Sequence, residues 1–442
     1  MLAFLLQIKS WMNSGQLYLF TLLMLVIWVL WLIRVVLSRH YRPWRTPYRT
    51  TTSVIIPVVD EPEDLFRDVL GRILEQQPTE VVVVINGPRN NNLERICTDV
   101  GVRWVWTDIP GKRNALQVGI GLSTGDIAVL VDSDTIWTRG TLEELVKPFI
   151  DPRVGGVTTQ QRILDPGRNW LTRWADWLEN VRNSYSMPSM SVLGTVGCLP
   201  GRTIAFRRSI LVDCMQAFLT EKFLGVFLEV SDDRTLTNYA LKAGYRTVYQ
   251  STSLVYTDAP LELKKLAKQQ YRWARGSQYN TMRMLPWMIR HAPMLAVFYL
   301  ADILIPFALV GAFISWAQSL VTGTKLALYD GLPLDDVSPA RLLPTIIVIS
   351  LTTTALSLAI RFSRHFVSHS RDLMYLPAFM LINTLMLMPI RVLGFFRMAH
   401  NSGWGTRAGG FSGERADRRN PLALLPYLLG AALLYGAVMI GV

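Results

Sequence analysis

DIAVLVDSDT, residues 126–135, is the stretch that decides how the chain folds. An apolar run from Ile127 to Val131 stops at Asp132–Ser133–Asp134. A short apolar run that ends abruptly in polar residues reads as a buried strand of a largely parallel sheet. Side chains alternate along an extended strand, so Asp132 and Asp134 are expected on the same side. In open sheets of this kind, ligands bind beyond the carboxyl ends of the strands. Two acids there can hold Mg2+ or Mn2+, hard cations that take oxygen ligands and share coordination with substrate phosphates. A solvated turn is the plainer meaning of two acids two residues apart.

Working outward, TTSVIIPVV (51–59) reads as a first strand ending at Asp60–Glu61, and EDLFRDVLGRILEQ (63–76) as the helix after it. VVVVI (81–85) is a buried strand closed by Asn86–Gly87–Pro88, and VRWVWT (102–107) is a third. GKRNALQVGIGLS (111–123) opens the helix that precedes the quoted strand. Strands alternating with helices from residue 50 to about 260 predict an α/β domain with a largely parallel sheet.

Beyond that domain the chain is apolar. Of 442 residues, 50% are hydrophobic and 18% charged, which points to a membrane protein with a water-soluble part. Apolar spans are expected at about 17–37, 294–321, 343–361 and 421–441. Arg34, Arg39, Arg42, Arg45 and Arg49 cluster at the end of the first span and just beyond it, so the α/β domain is expected on the cytoplasmic side. The segment 373–398 carries Pro377, Pro389, Arg391 and Arg397 and is expected to be interfacial or re-entrant. Residues 261–291 interleave Lys and Arg with Tyr and Trp, as interfacial helices do. The net charge of +12 is then explained by orientation and lipid headgroups, and nucleic acid is not an expected partner. Few charges within the spans speak against a transporter. Cys97, Cys198 and Cys214 are scattered, which excludes a disulfide framework and a zinc site.

Three further motifs carry chemistry. Lys112 and Arg113 start a helix, where cations and free amides form an anion site, although an ordinary capped helix looks the same. SDDR (231–234) puts Asp232 and Asp233 before a helix, where acids act as caps or, in a cleft, as a general base. QQYRW (269–273) places Gln269, Arg272 and Trp273 within about one helical turn. Arg there can grip phosphate and Trp can offer a plate to a sugar ring, or both can anchor a membrane-surface helix.

Taken together and in order, VVDE (58–61), GKRNA (111–115), DSD (132–134), SDDR and QQYRW resemble the processive family 2 glycosyltransferases. The signature of that family is D…DxD…(D/E)D…Q(Q/R)xRW. Within it, SDDRTLTNYALKAGYRT (231–247), QQYRWARGS (269–277) and NSGWGTR (401–407) look most like the branch of hyaluronan synthases and rhizobial chitin-oligosaccharide synthases, with cellulose synthase catalytic subunits as further relatives. The resemblance implies the following organisation: an interfacial segment and first membrane helix at 1–49, a cytoplasmic GT-A domain at 50–260, interfacial helices with QQYRW at 261–292, and membrane helices with the WGTR loop at 293–442. It implies a multi-pass protein of the cell membrane that extends a β-linked glycan from a UDP-sugar with inversion. The expected partners are the UDP-sugar, the growing glycan and the bilayer. An enzyme that adds one sugar to a lipid acceptor is the alternative.

Carried over position by position, the resemblance assigns Asp132 and Asp134 to the nucleotide and to Mg2+ or Mn2+. Lys112, with Arg113 beside it, meets the diphosphate, and Asp60 lies near the uracil. Asp233 is the base, with Asp232 standing where relatives have Glu or Asp. Gln269, Gln270, Arg272 and Trp273 serve the diphosphate and the acceptor, and Trp404 and Arg407 belong to a late motif over the donor. Two departures stand out. Asn86 replaces an acid of the usual Asp-Asp-Gly, and Leu199 intrudes in the acceptor loop GCLPGRTIAFRR (197–208).

Overall fold

The computed structural model describes residues 19–322, 339–400 and 421–441. Trp404 and Arg407 lie outside the described residues, as does the opening segment 1–11 expected along the membrane surface.

The first apolar span is helix α1 (Leu19–Arg39). The α/β domain then begins with β1 (Thr52–Val58), α2 (Glu63–Leu74), β2 (Glu80–Asn86), α3 (Asn91–Val100), β3 (Arg103–Thr107), α4 (Lys112–Leu122) and β4 (Ile127–Val131), of which only α3 is absent from the sequence reading. Next come β5 (Ile136–Trp137), α5 (Thr141–Val146), β6 (Val154–Ile163), α6 (Trp170–Val181), a π-helical turn (Arg182–Ser186) and α7 (Met187–Val192). The domain closes with β7 (Thr203–Arg207), α8 (Arg208–Leu219), the short strands β8 (Lys222–Phe223) and β9 (Val226–Phe227), α9 (Asp232–Lys242) and β10 (Arg246–Thr257).

Eight strands form one sheet in the order β3-β2-β1-β4-β7-β6-β10-β5. The half formed by β3, β2, β1 and β4 is parallel, with Val54 opposite Val81 and Val129, whereas β7 and β5 run antiparallel to their neighbours. Every residue of β1 and of β4 is buried, as a strand covered on both faces must be. Alternation divides β1 between two cores. Val54 and Ile56 pack with Phe66, Val69 and Ile96 of α2 and α3, while Ile55 packs with Leu116 and Ile120 of α4. Helix α4 lies so close that a Cβ on Gly119 would come within 2.4 Å of Ile55.

Two details shape the end of the sheet that matters. Pairing of β1 with β4 stops at Ile55, two residues before Pro57, which has no N–H to offer a ladder. The strands part there, and strand order also reverses direction at this seam. Second, the chain passes from Val131 in mid-sheet to Ile136 beside β10, four strand spacings away. Those spacings sum to about 19 Å in a flat sheet, and five extended residues reach only about 18 Å. The sheet is therefore curled, and the acidic turn lies across its carboxyl end.

Helix α10 (Leu263–His291) carries QQYRW and leads into α11 (Pro293–Thr322), which packs against α16 (Leu425–Gly441) with Gly311 seated on Ala437. The third expected span is α12 (Pro339–Arg361). Between them, α13 (Ser363–Ser368), α14 (Leu376–Leu381) and α15 (Met388–Phe396) form a chain of short helices. Ser370–Phe396 differs from the interrupted segment expected. It is one helical run of 27 residues, long and apolar enough to cross a membrane, as are Leu22–Arg39, Pro293–Ser315 and Pro421–Met439. Pro377 and Pro389 do not break it, because each falls in the first turn of a helix that follows a 3-10 or π turn, where a missing N–H costs little.

Candidate active site

A narrow cleft opens where β1 and β4 part. Pro57, Lys112, Asp132, Gly201, Asp232 and Asp233 are among the residues that line it. The acidic motif enters it from a turn. The Thr135 N–H donates to the Asp132 carbonyl at 3.1 Å, so Asp132 and Asp134 do not alternate along an extended strand as expected. The register of β4 with β7 ends at Val131, and beyond it the chain has to turn toward β5. Ser133 at the turn's tip donates to Glu61 at 2.8 Å, which ties the acidic turn to the end of β1.

Lys112, the first residue of α4, places its ammonium on the Asp132 carboxylate. Burial works against the Lys112 charge, yet Asp132, Asp232 and Asp233 outweigh it and hold its pKa above the ordinary value. Asp233 faces this pair. One carboxylate oxygen accepts from the Gly201 N–H at 3.2 Å, and the other accepts from the Arg234 N–H at 2.8 Å. Burial is the main reason its carboxyl is pushed above the usual range. The Arg234 amide and Lys112 pull the other way, and Asp232 and Asp132 add to the rise.

Arg113 and Asp232 were expected beside their neighbours in the cleft chemistry, and the structure spends them on each other instead. Arg113 is 2% exposed and donates to Asp232 at 2.8 Å, to Glu221 at 2.9 Å and to the Phe218 carbonyl at 2.6 Å. Asp232 retains an edge on the cleft, but one of its oxygens is occupied. Successive residues of a helix point about 100° apart, so one of each adjacent pair turns inward.

The remaining expected residues are spread around this centre. Asp60, which is exposed, follows β1, and the buried Asn86 ends β2, on the same carboxyl edge as Asp132. Gln269, Gln270 and Arg272 are half-buried on α10, and Trp273 is 41% exposed. Sequence reasoning missed Glu221, which joins the Arg113 cluster from 108 positions away, and Arg234, whose side chain reaches α10. No local pattern marks Glu221. Arg234 stood in the quoted SDDR but drew no reading.

Oxygen donors suited to a hard cation are present at the turn, and a cationic side chain already sits on Asp132. Among the described residues no three His, Cys, Asp or Glu side chains gather as a metal site by themselves. A divalent ion fits this turn if the substrate supplies the rest of its ligands, as phosphates do for Mg2+.

Comparison with known proteins places this geometry in context. A family model described as "Glycosyltransferase like family 2" matches residues 49–276. A hyaluronan synthase of Streptococcus pyogenes is 26% identical over 389 residues, covering 85% of this chain and 88% of its own. An N-acetylglucosaminyltransferase of Rhizobium meliloti is 32% identical over 266 residues, 58% of this chain and 62% of that one. Among solved structures, a mannosyltransferase from Pyrobaculum calidifontis, in complex with GDP-Man and Mn2+, superposes with a TM-score of 0.52 at 20% identity. That match covers 85% of this chain and 99% of the other, and it shows a shared GT-A fold.

Proposed function

From the premise that the chain belongs to the family 2 glycosyltransferases, whose model spans residues 49–276 of its 442, we propose that it is a membrane-integrated polysaccharide synthase. It takes sugar from a UDP-sugar and adds it, with inversion, to a growing β-linked glycan. The similarity to hyaluronan synthase over 85% of the chain supports a glycan product that crosses the membrane beside the site.

One observation carries the chemistry. Asp233 is fixed by the Gly201 N–H and its own helix at the edge of a cleft that Lys112 and Asp132 also line. A donor sugar between them presents its anomeric carbon to an acceptor hydroxyl on the Asp233 side. Asp233 takes the proton of that hydroxyl as it attacks, and its raised pKa makes it a better base than a solvated carboxylate. Lys112 transfers its contact from Asp132 to the diphosphate, whose charge it offsets as the leaving group departs. Asp132 and Asp134 hold Mg2+ or Mn2+, which when bound supplies further positive charge at the diphosphate. Arg113 and Asp232 hold α4 and α9 in register behind the site. Asp60 serves the uracil with Asn86 as a further nucleotide contact, Gln269, Gln270, Arg272 and Trp273 serve the diphosphate and acceptor, and Trp404 and Arg407 are assigned to the donor by their motif alone.

The domain lies on the cytoplasmic side, because Arg34 to Arg49 follow the first span. Ser370–Phe396 lies at the interface, held to the catalytic domain by Arg173–Asp372 at 3.2 Å and by the Trp177–Phe379 stack at 5.2 Å. The test is purified full-length protein supplied with single and paired UDP-sugars and Mg2+ or Mn2+. Release of UDP with formation of a polymer is expected. Transfer of one sugar to a lipid without extension would replace the polymerase with a single-step transferase.

A further inference from the structure

The two residues that flank the Asp232–Asp233 pair are gripped by elements outside the α/β domain. Ser231, just before the pair, is a non-glycine residue in the left-handed region at φ 64, a conformation that surrounding structure has to enforce. Helix α10 supplies the enforcement: a Cβ on Gly276 would lie 2.7 Å from the Ser231 Cβ, so only glycine lets the helix press so closely. Arg234, immediately after Asp233, is 3% exposed although it carries a full charge. Its guanidinium donates to the Ser277 carbonyl and the Thr281 hydroxyl of α10, each at 2.7 Å. The same group lies 4.0 Å over the ring of Tyr299 on α11, the membrane helix that follows.

Tyr299 also touches the acceptor loop. A Cβ on Gly197, the first residue of the acceptor loop, would fall 2.3 Å from the Tyr299 hydroxyl. Four residues on, Gly201 donates to Asp233. The base, the loop opposite it and the first membrane helix after the domain thus meet around one guanidinium–phenol stack. A structural arginine could have been bound anywhere on the domain's surface. Among the described residues, its side-chain hydrogen bonds go to α10 and its ring contact to α11.

We propose that Arg234 and Tyr299 form a positioning joint that keys the Asp233 carboxylate to the membrane helices, so that proton acceptance is set up only where a glycan enters the bundle. The inference rests on Asp233 as the base. Arg supplies a planar fork and a face for the ring, and Lys supplies neither. Displacing a reacting group by about 1 Å can lower turnover by about 100-fold without altering substrate affinity.

The experiment uses full-length protein in lipid nanodiscs and measures UDP affinity, kcat and KM for the donor, and folded fraction. Arg234→Lys and Tyr299→Leu should lower kcat about 10- to 100-fold with UDP affinity unchanged, while Tyr299→Phe, which keeps the ring, stays near the parent. In an Asp233→Asn background, Arg234→Lys should cost nothing further, because the residue it positions is gone. If Arg234→Lys does not fold, the Leu and Phe variants of Tyr299 decide by themselves. Equal damage from Phe and Leu, or loss of UDP affinity in step with kcat, or an undiminished Arg234→Lys penalty in the Asp233→Asn background, would overturn the joint and leave the base in place. Normal turnover in Asp233→Asn alone would instead remove the base on which the joint depends.

Discussion

Lys112 and Arg113 are neighbours in sequence, as are Asp232 and Asp233, yet each pair is divided between two regions of different character. Lys112 and Asp233 line the cleft with Asp132, whereas Arg113 and Asp232 are locked with Glu221 in a buried cluster behind it. Both regions contain ion pairs, so pairing alone does not distinguish them. What differs is whether a charge is left for something else to meet. In the buried cluster Arg113 spends its donors inside the protein, and removing one partner strands a charge away from water. At the cleft, the Asp132 side chain keeps 28% of its exposure, and its lysine partner can be exchanged for a ligand. Of each adjacent pair, one charge is thus left at the cleft and the other is spent inside the fold.

The largest effect that would break this comparison is at Asp233. Asp233→Asn should leave donor binding near the parent value and reduce transfer by about 10²–10⁴-fold, read as UDP released per folded enzyme. Full turnover would move the base elsewhere. Arg113→Met should cost about 3–5 kcal/mol of stability, because Asp232 stays buried without the guanidinium that meets it and Glu221 keeps only the Arg283 cation among the described residues. A thermal or denaturant melt checks this, and a soluble, stable variant with lost activity would put Arg113 in the reaction instead. Asp134→Ala should abolish the dependence of UDP affinity on Mn2+, a loss of about tenfold or more for a charged oxygen ligand; titration of UDP with and without the ion reads it.

Smaller effects sharpen the comparison. Trp273→Ala should shorten the product several-fold while UDP release by hydrolysis persists, since water needs no aromatic platform and a sugar ring does. Equal loss of both activities would make Trp273 an anchor of its helix. The pH profile is the finest probe. The Asp233 carboxyl is pushed upward and is active when ionised, so kcat/KM should fall as pH drops through a value above the usual carboxylate range. An acid limb within the usual range would mean that a solvated carboxylate carries the reaction.

Much of the fold could be read directly. Strands β1 to β3 and helices α2 and α4 lie within two residues of the expected bounds, because apolar periodicity and glycine or proline stops are local properties, whereas α3 has no counterpart in the sequence reading. The segment 373–398 was harder. Pro377 and Pro389 read as interruptions, and the 3-10 and π turns that accommodate them leave no mark in composition. The site motifs were visible as types of residue, and their order pointed to one family. Their division of labour was not.

By itself, the sequence determined that a mainly parallel sheet would end in acids at its carboxyl edge, that apolar helices would follow, and that a nucleotide-sugar chemistry was encoded. Hydrophobic pattern and motif order suffice for that, since each is written over a few dozen consecutive residues. Only the tertiary structure decided that the acidic motif would be a turn rather than a strand end, because that turn is imposed by the distant pairing of β5 with β10. It alone decided that Arg113 would be spent on Asp232 and Glu221 together. A charge is reactive or structural according to who faces it, and the partners here lie 119 and 108 positions along the chain, brought together by folding.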